Sequence, residues 1–307
     1  MRIAVPDLIT NSYFPGLAAE ELGFYKAEGL DAHVELLYPA PAAVAALRDG
    51  RLDAVCEGAH TTLTGFPQWK GAKLVVALVQ GTPWLLVLRA DLPGNRGDLQ
   101  AVKGLRIGAA PGPDQALRRL LTDAGVDPER DGVQMVPVPG TDRPDASFGV
   151  QAARALEARQ LDGFWANAMG SEIAVRRGVG KLLLDVRRGD GPPQASTFTF
   201  TALVTTEALI ERDPERVAAA VRAIVKVQRA LRAEPARAAE VGRRRFPPDA
   251  AGMIATLIER DVLFYDPVIS EEAVAAMNRF ARSIGLLTDP VPYEQVVATQ
   301  FRELWRA

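Results

Sequence analysis

The chain has 307 residues, of which 48% are hydrophobic and 24% are charged, and its 36 Lys and Arg nearly balance its 38 Asp and Glu. This length and composition are typical of a soluble globular protein with two domains or one large one. The balanced charge excludes the basic surplus of nucleic-acid-binding proteins, so we expect no nucleic-acid partner. With Cys56 as its single cysteine and only two histidines, the chain cannot form an intrachain disulfide or a Cys/His zinc site of the usual spacing.

The N-terminal part of the chain alternates short apolar runs with amphipathic patterns, which predicts parallel α/β structure. Glycines at positions 29 and 50 end the two amphipathic patterns, as expected at the carboxyl ends of helices. The predicted strands are residues 2–6, 33–37 and 52–56, and the predicted helices are residues 15–26 and 41–49.

The same landmarks then recur in the same order further along the chain. The matched pairs are Arg2-Ile3-Ala4 with Arg106-Ile107-Gly108, Gly29-Leu30-Asp31 with Gly125-Val126-Asp127, and Leu52-Asp53 with Leu161-Asp162. A repeat of this length is too long for a solenoid and predicts two equivalent α/β lobes. The alternative is that these matches arise by chance, because all βαβ units share similar sequence patterns.

Two strand-like runs, residues 84–89 and 197–205, are predicted to carry the chain between the lobes. The first lobe then consists of residues 1–88 and 197–307, and the second lobe, residues 89–196, is inserted into it. The remainder of the chain is helical. Asp213 and Pro214 start a helix that runs to Leu231, and residues 293–305 form the last one.

In open α/β sheets, ligands bind beyond the carboxyl ends of the strands, so the loops there are the candidate ligand site. These loops are rich in aromatic, amide and hydroxyl side chains and contain no Lys or Arg. They therefore favour a small organic ligand, for instance an aromatic or heterocyclic one, over a strongly anionic ligand. The candidate ligand-binding residues are Asn11, Ser12, Tyr13, Phe14, Tyr38, Glu57, His60, Thr61, Gln80, Thr82, Trp84, Pro111, Asp114, Trp165, Asn167, Thr197 and Thr199.

Several of these side chains have a second interpretation. Trp84 and Trp165 fit a pocket or the core equally well. Glu57 is either an acceptor for an amine or amidine group of the ligand or a solvated loop residue. Asp53 and Asp162 resemble an acid–base pair, but the lobe equivalence places them at strand starts, where they are expected to serve as turn or cap residues.

Short basic runs, at residues 187–188 and 243–245, are interpreted as solvated faces rather than nucleic-acid patches. No P-loop, no Gly-x-Ser-x-Gly elbow and no dinucleotide fingerprint is present, so we predict no cofactor.

Cys56 and His60 are spaced as a nucleophile–base pair could be, but they straddle a strand end. A buried, inert cysteine is the favoured interpretation, and no residue is predicted to be catalytic.

Three segments of the sequence resemble one known family. They are GFYKAEGLD at 23–31, ALRDGRLD at 46–53 and VKGLRIG at 102–108. In this order they are similar to the signatures of ABC-importer solute-binding proteins of the NMT1/THI5-like branch, which serves nitrate, sulfonates, taurine and thiamine-pyrimidine precursors. Asn11 lies where the pyrimidine-binding members carry an asparagine in their first loop.

The resemblance implies a two-lobed, type II periplasmic-binding-protein-like α/β fold, with a mainly parallel sheet in each lobe and hinge closure on a ligand between the lobes. It also implies a monomer that delivers its ligand to a membrane permease with its ATPase, without catalysis, in the periplasm. No signal-peptide pattern follows Met1, so a cytoplasmic location is the alternative. A cytoplasmic enzyme on this fold, desulfinase-like or pyrimidine-synthase-like, would have to use Cys56 and His60. A cytoplasmic ligand sensor is a third possibility.

Overall fold

The computed structural model describes residues 1–143 and 146–306. The chain divides into two compact units, which we call the first unit (Met1–Gly81 with Thr199–Ala307) and the second unit (Thr82–Phe198). The first crossing between them therefore comes before Thr82, and not after Leu88 as predicted. The reason is that the strand Leu85–Arg89 pairs with strands of the second unit on both of its sides.

The sheet of the first unit has five strands among the described residues, in the order β2-β1-β3-β10-β4. Strands β1, β2 and β3 run parallel, and β10 is antiparallel to both β3 and β4. The strand bounds are β1 Arg2–Val5, β2 His33–Leu36, β3 Ala54–Gly58, β4 Ala72–Val79 and β10 Thr201–Thr206.

The sheet of the second unit repeats this plan, with the order β7-β6-β8-β5-β9. Here β6, β7 and β8 are parallel, and β5 takes the antiparallel place that β10 has in the first sheet. The strand bounds are β5 Leu85–Arg89, β6 Arg106–Ala109, β7 Gln134–Val136, β8 Gly163–Ala166 and β9 Gly180–Asp185.

The predicted equivalence of the two lobes is confirmed down to single hydrogen bonds. The Asp53 carboxylate accepts from the N–H of Arg2, and the Asp162 carboxylate accepts from the N–H of Arg106 in the same way. The two Asp N–H groups donate back to the carbonyls of the same two arginines. Asp53 and Asp162 thus close the starts of equivalent strand pairs, which confirms their structural interpretation.

The hydrophobic core of each unit lies on both faces of its sheet. Strand β4 is buried along almost its whole length and reads in the sequence as a continuous apolar run, as expected for a strand covered on both sides. For the same reason the sequence shows β4 and β5 as one apolar stretch, although Gln80–Trp84 separates them into different sheets.

Helices cover the sheets, and two of them differ from prediction. The helix expected over residues 15–26 is broken at Gly23, whose φ of 77° lies in the left-handed region that favours glycine. The last predicted helix ends at Val296, because Val297 bridges to Leu74 of β4 and Ala298 donates to the Leu74 carbonyl. No helix among the described residues combines the length and the apolar character needed to cross a membrane.

The α-helices are α1 Phe14–Glu21, α2 Phe24–Ala27, α3 Ala40–Arg48, α4 Pro113–Asp123, α5 Phe148–Glu157, α6 Ala168–Arg176, α7 Glu207–Arg212, α8 Pro214–Ala233, α9 Ala238–Arg245, α10 Pro248–Ala251, α11 Ile254–Asp261, α12 Glu271–Ser283 and α13 Tyr293–Val296. Short 3₁₀ helices occupy Ala59–Thr64, Pro67–Trp69, Leu99–Val102, Val186–Arg188, Pro193–Thr197, Pro235–Arg237, Val262–Phe264 and Thr299–Trp305. The predicted helix start at Asp213 is confirmed, since its side chain accepts from the N–H of Arg216.

Candidate ligand site

The carboxyl edge of the first sheet gathers polar residues from distant parts of the chain. The segment after β1 carries Asn11 and Ser12, the end of β3 carries Glu57, and the residue before Phe200 and β10 is Thr199. All four side chains are buried. Buried polar groups are normally hydrogen-bonded, so the partners of each one show what the site can do.

Asn11 is held by a residue far away in the sequence. Its Nδ2 donates to Oδ2 of Asp261 at 2.5 Å, across a separation of 250 positions. Its backbone carbonyl accepts a hydrogen bond of 2.7 Å from the Tyr265 hydroxyl. Its Oδ1 is buried, and no described residue donates to it. Asn11 therefore has a buried acceptor oxygen with hydrogen-bonding capacity left.

Thr201 connects the loop that carries Ser12 to the end of β3, where Glu57 lies. Thr201 is the register partner of Gly58, which follows Glu57 in β3, and its hydroxyl donates to the Ser12 carbonyl at 2.9 Å. Among the described residues, the Ser12 hydroxyl oxygen and Oε2 of Glu57 have no hydrogen-bond partner. Together with Oδ1 of Asn11, they make three buried polar atoms at one sheet edge with bonding capacity left.

Glu57 is fully buried, so the interpretation as a solvated loop residue is wrong. The Thr62 hydroxyl donates to its Oε1 at 2.9 Å. Burial raises the pKa of the Glu57 carboxyl well above its ordinary value, and the hydrogen bond from Thr62 offsets only part of that effect. Burial thus favours the protonated, neutral form of the carboxyl. The nearby Tyr13 is half-buried, and the pKa of its hydroxyl is also raised, first by burial and then by Glu57.

His60 lies in the 3₁₀ helix that follows β3. Its Nδ1 is 3.0 Å from the Thr199 hydroxyl, and its ring packs edge-on against Phe280 at 5.3 Å between ring centroids. Burial lowers the pKa of His60 to about 4, so the ring is neutral at pH 7. A neutral imidazole here can accept or donate one hydrogen bond but carries no charge for an anion.

Cys56 packs against helix α1. A Cβ added to Gly16 of α1 would lie 2.7 Å from the Cys56 sulfur, which shows that the thiol packs directly on that helix. The thiol is fully buried, and burial raises its pKa, with a smaller contribution from Glu57. Reactive cysteines need a thiolate and access to solvent, and Cys56 has neither. The predicted interpretation as an inert buried residue is supported.

The second unit presents an aromatic pair at the corresponding edge. The rings of Trp84 and Trp165 lie 5.8 Å apart between centroids, and both residues are buried. The indole N–H of Trp165 donates to the Pro113 carbonyl at 3.0 Å, which ties the pair to the start of α4. Asn167 caps α6, because its Oδ1 accepts from the N–H groups of Met169 and Gly170.

A basic side chain also lies at this edge, contrary to the expectation from the loops considered in the sequence. Arg187 follows β9, whose carboxyl end is at the same edge as that of β8, and its residue exposure is only 9%. The interpretation of residues 187–188 as a solvated face is therefore wrong for Arg187. The cause is local: the 3₁₀ turn Val186–Arg188 follows directly on a buried strand.

Other predicted site residues use their polar groups within the fold. Gln80 donates through Nε2 to the carbonyls of Asp266 and Val268, and the Thr82 hydroxyl donates to the Ala195 carbonyl. Asp114 accepts from the Gly112 N–H. The polar side chains of Gln80, Thr82 and Asp114 thus have hydrogen-bond partners within the protein, and their presence in these loops does not require a ligand.

The remaining candidates differ in burial. Phe14 is buried as the first residue of α1, and its ring packs against Phe246, so the structure gives it a core role. Thr61 is buried and Tyr38 half-buried, whereas Pro111 and Thr197 are exposed. Sequence reasoning missed Asp261 and Tyr265, which lie in and after α11, because nothing in their local pattern relates them to the first loop.

The family of the chain follows from its sequence. The profile of the family described as NMT1/THI5 like matches residues 11–238. The chain belongs to this family. No curated protein sequence matches it closely enough to count as a relative.

Solved structures share the fold of this NMT1/THI5-like protein over nearly its whole length. A protein from Bordetella bronchiseptica RB50 matches with a TM-score of 0.78 at 19% identity, covering 99% of this chain and 96% of its own. The alkanesulfonate-binding protein SsuA from Xanthomonas axonopodis pv. citri, bound to MOPS, matches with a TM-score of 0.71 at 16% identity, with 96% and 97% covered. The desulfurization enzyme DszB matches with a TM-score of 0.65 at 17% identity, with 99% and 98% covered. At such identities the likeness establishes the fold.

Proposed function

We propose that this protein is the solute-binding component of an ABC-type importer, which binds a small organic ligand and performs no chemistry on it. The observation that carries the proposal is the buried cluster of Asn11, Ser12 and Glu57, with polar atoms still free to bond at the carboxyl edge of the first sheet. Unsatisfied buried polar atoms are costly in a folded protein, and a bound ligand that pairs with them removes that cost. Membership of the NMT1/THI5-like family and the solute-binding proteins among its structural neighbours support the same role.

The partners and location follow from this proposal. A monomer closes on its ligand by hinge motion and passes it to a membrane permease with its ATPase, as the family resemblance implies. We place this activity in the periplasm.

A thermal-shift screen of the purified protein tests the binding function. The panel holds amidines, amino-substituted pyrimidines, aryl carboxylates, sulfonates, taurine and nitrate, and each hit is recovered and weighed by mass spectrometry. A ligand at a hundred times its Kd stabilises the native state by about 2.7 kcal/mol, which gives a clear rise in the unfolding midpoint. A hit that is recovered unchanged supports the proposal, and a panel without any saturable hit contradicts it.

The fold shared with DszB favours one alternative, an enzyme. In that case Cys56 or His60 would have to act, although the buried thiol and the neutral ring argue against both. A ligand recovered with altered mass would support the enzyme. The substitution Cys56→Ala separates the two functions, because it leaves binding intact in a binding protein and abolishes turnover in a cysteine-dependent enzyme.

A further inference from the structure

A cavity of about 480 Å³ lies within the second unit, at the carboxyl end of α4. None of the described residues that line it is a lysine or an arginine. Arg96, which lies next to one wall in the sequence, is paired with Asp190 at 2.8 Å. The lining residues include two acids, two glutamines and a proline, namely Asp98, Asp123, Gln100, Gln194 and Pro192.

Asp123 is a lining residue whose hydrogen-bonding capacity is only partly used. Its side chain is 7% exposed. Nη2 of Arg119 lies 2.6 Å from its Oδ1, whereas its Oδ2 is buried and no described residue donates to it. A buried carboxylate oxygen without a donor is costly. A group that binds in the cavity and donates to this oxygen would remove that cost.

The position of Asp123 in its helix adds to this cost. Asp123 is the last residue of the 11-residue helix α4, where the helix dipole favours a cation and disfavours a carboxylate. The last turn of α4 contains no basic residue. Arg119 precedes Asp123 by four positions, which is the less favourable order for an ion pair along a helix. A cation beside Asp123 would therefore stabilise both the carboxylate and the helix end.

Other helices that end in an acid show how the charge is compensated within the protein. Glu157 at the end of α5 lies 2.8 Å from Nη1 of Arg177. Glu21 at the end of α1 lies 2.7 Å from Nη1 of Arg245. In both cases an arginine from outside the helix supplies the cation. Oδ2 of Asp123 has no such arginine among the described residues, and it belongs to the wall of a cavity instead.

We propose that this cavity binds an organic cation, a guanidinium or alkylammonium group, which donates to Oδ2 of Asp123 and is attracted by the charge of Asp98. The glutamine side chains offer further acceptor oxygens, and the proline ring offers an apolar surface to an alkyl chain. A cavity of this volume is much larger than a metal ion needs. The site is separate from the candidate ligand site, because Pro113, which binds Trp165, lies at the other end of α4, about 16 Å away.

Butylguanidinium and butylurea test the inference, because they have nearly the same shape and differ in charge. Their affinities are measured by NMR titration of the ¹⁵N-labelled protein, in which the backbone amides of Gly97, Gln100, Ala124 and Gln194 report on the cavity. We expect saturable shifts at these amides and at least about tenfold tighter binding of butylguanidinium, because hydrogen bonds between charged groups are the stronger ones. Equal affinities, or shifts confined to other parts of the chain, would overturn the inference.

The substitution Asp123→Asn removes the charge and should weaken butylguanidinium binding by about tenfold. The matched control is Glu157→Gln, which neutralises the terminal acid of another helix in the same unit and should leave the affinity unchanged. An unaffected Asp123→Asn, or an equal loss in Glu157→Gln, overturns the site.

A second variant decides the matter even if Asp123→Asn does not fold. Ala124→Lys places an ammonium group on a residue that lines the cavity, so that the protein itself supplies the cation. Butylguanidinium binding should then weaken by at least about tenfold, and binding that survives this substitution contradicts the proposal.

The cation is either a free small molecule or a basic side chain of another protein, and a peptide distinguishes these sources. Acetyl-Gly-Arg-Gly-amide presents the same guanidinium on a polypeptide. Binding at least as tight as that of butylguanidinium assigns the site to a partner protein, and exclusion of the peptide assigns it to a free small cation. A solute found in the thermal-shift screen should not displace butylguanidinium. Displacement would mean that the cavity belongs to the solute site, and the inference of a second site would fail while the binding function stands.

Discussion

The buried carboxyl of Glu57 makes the stability of the first unit depend on pH in a predictable direction. In the unfolded chain the group ionises around its ordinary pKa of 4.5, whereas burial raises the pKa in the folded state. Below pH 4.5 both states hold the proton, and the carboxyl has no pH-dependent effect. As the pH rises from there towards the folded pKa, only the folded state still holds the proton, so stability falls.

The substitution Glu57→Gln removes this effect while preserving shape and the hydrogen bond from Thr62. One proton of difference corresponds to about 1.4 kcal/mol per pH unit. The variant should therefore gain stability relative to the parent by about that amount for each pH unit above 5, as long as the folded carboxyl stays protonated.

Urea titrations at pH 5, 6 and 7 measure this difference. Hydrogen exchange of the β3 amides, read by mass spectrometry, reports on the first unit alone, which matters because two units need not unfold together. A stability difference between variant and parent that stays constant from pH 5 to 7 would show that Glu57 is ionised in the native state. The neutral buried carboxyl, and the argument built on its desolvation, would then be wrong.

Three further predictions concern other parts of the chain. Cys56 should react with a thiol reagent only in denaturant, and rapid labelling of the native protein would contradict its burial. Gly170→Ala should destabilise the second unit by about 1–3 kcal/mol, because its Cβ would overlap the α5 backbone, whereas Gly252→Ala, with open space around it, should not. Asp162→Asn should cost about 1–3 kcal/mol at pH 7. Since Arg106 lowers the pKa of Asp162, that cost, measured by urea unfolding, should vanish as the pH falls below the folded pKa.

The sequence predicts the fold well where the pattern is local and repeated. The strands that start at Arg2 and Arg106 carry matching sequence patterns, and each has a matching Asp later in the chain. In the structure the backbone N–H of each arginine donates to the carboxylate of its Asp. Strand β4 was not distinguished because a fully buried strand shows no alternation.

The site is less predictable because its determining contacts are remote. The loops after the strands could be named in advance, and Asn11, Glu57 and His60 are indeed buried at the first sheet edge. Asp261, however, lies 250 positions from Asn11, and only the tertiary structure brings them together. Arg187 was wrongly predicted for a different reason. Two arginines after an apolar run have the same sequence pattern whether they are buried or exposed to solvent.

The position of β10 has a consequence for the order in which the chain can fold during synthesis. This strand is the fourth of five across the first sheet and lies between β3 and β4, yet it is made only after the whole of the second unit. The second unit is one continuous segment and can complete its sheet as soon as it leaves the ribosome. The N-terminal segment is made earlier, and one edge of β3 stays unpaired until β10 has been synthesised. Because long-range strand pairing is slow and exposed edges aggregate, we expect the first unit to be the one that needs a chaperone.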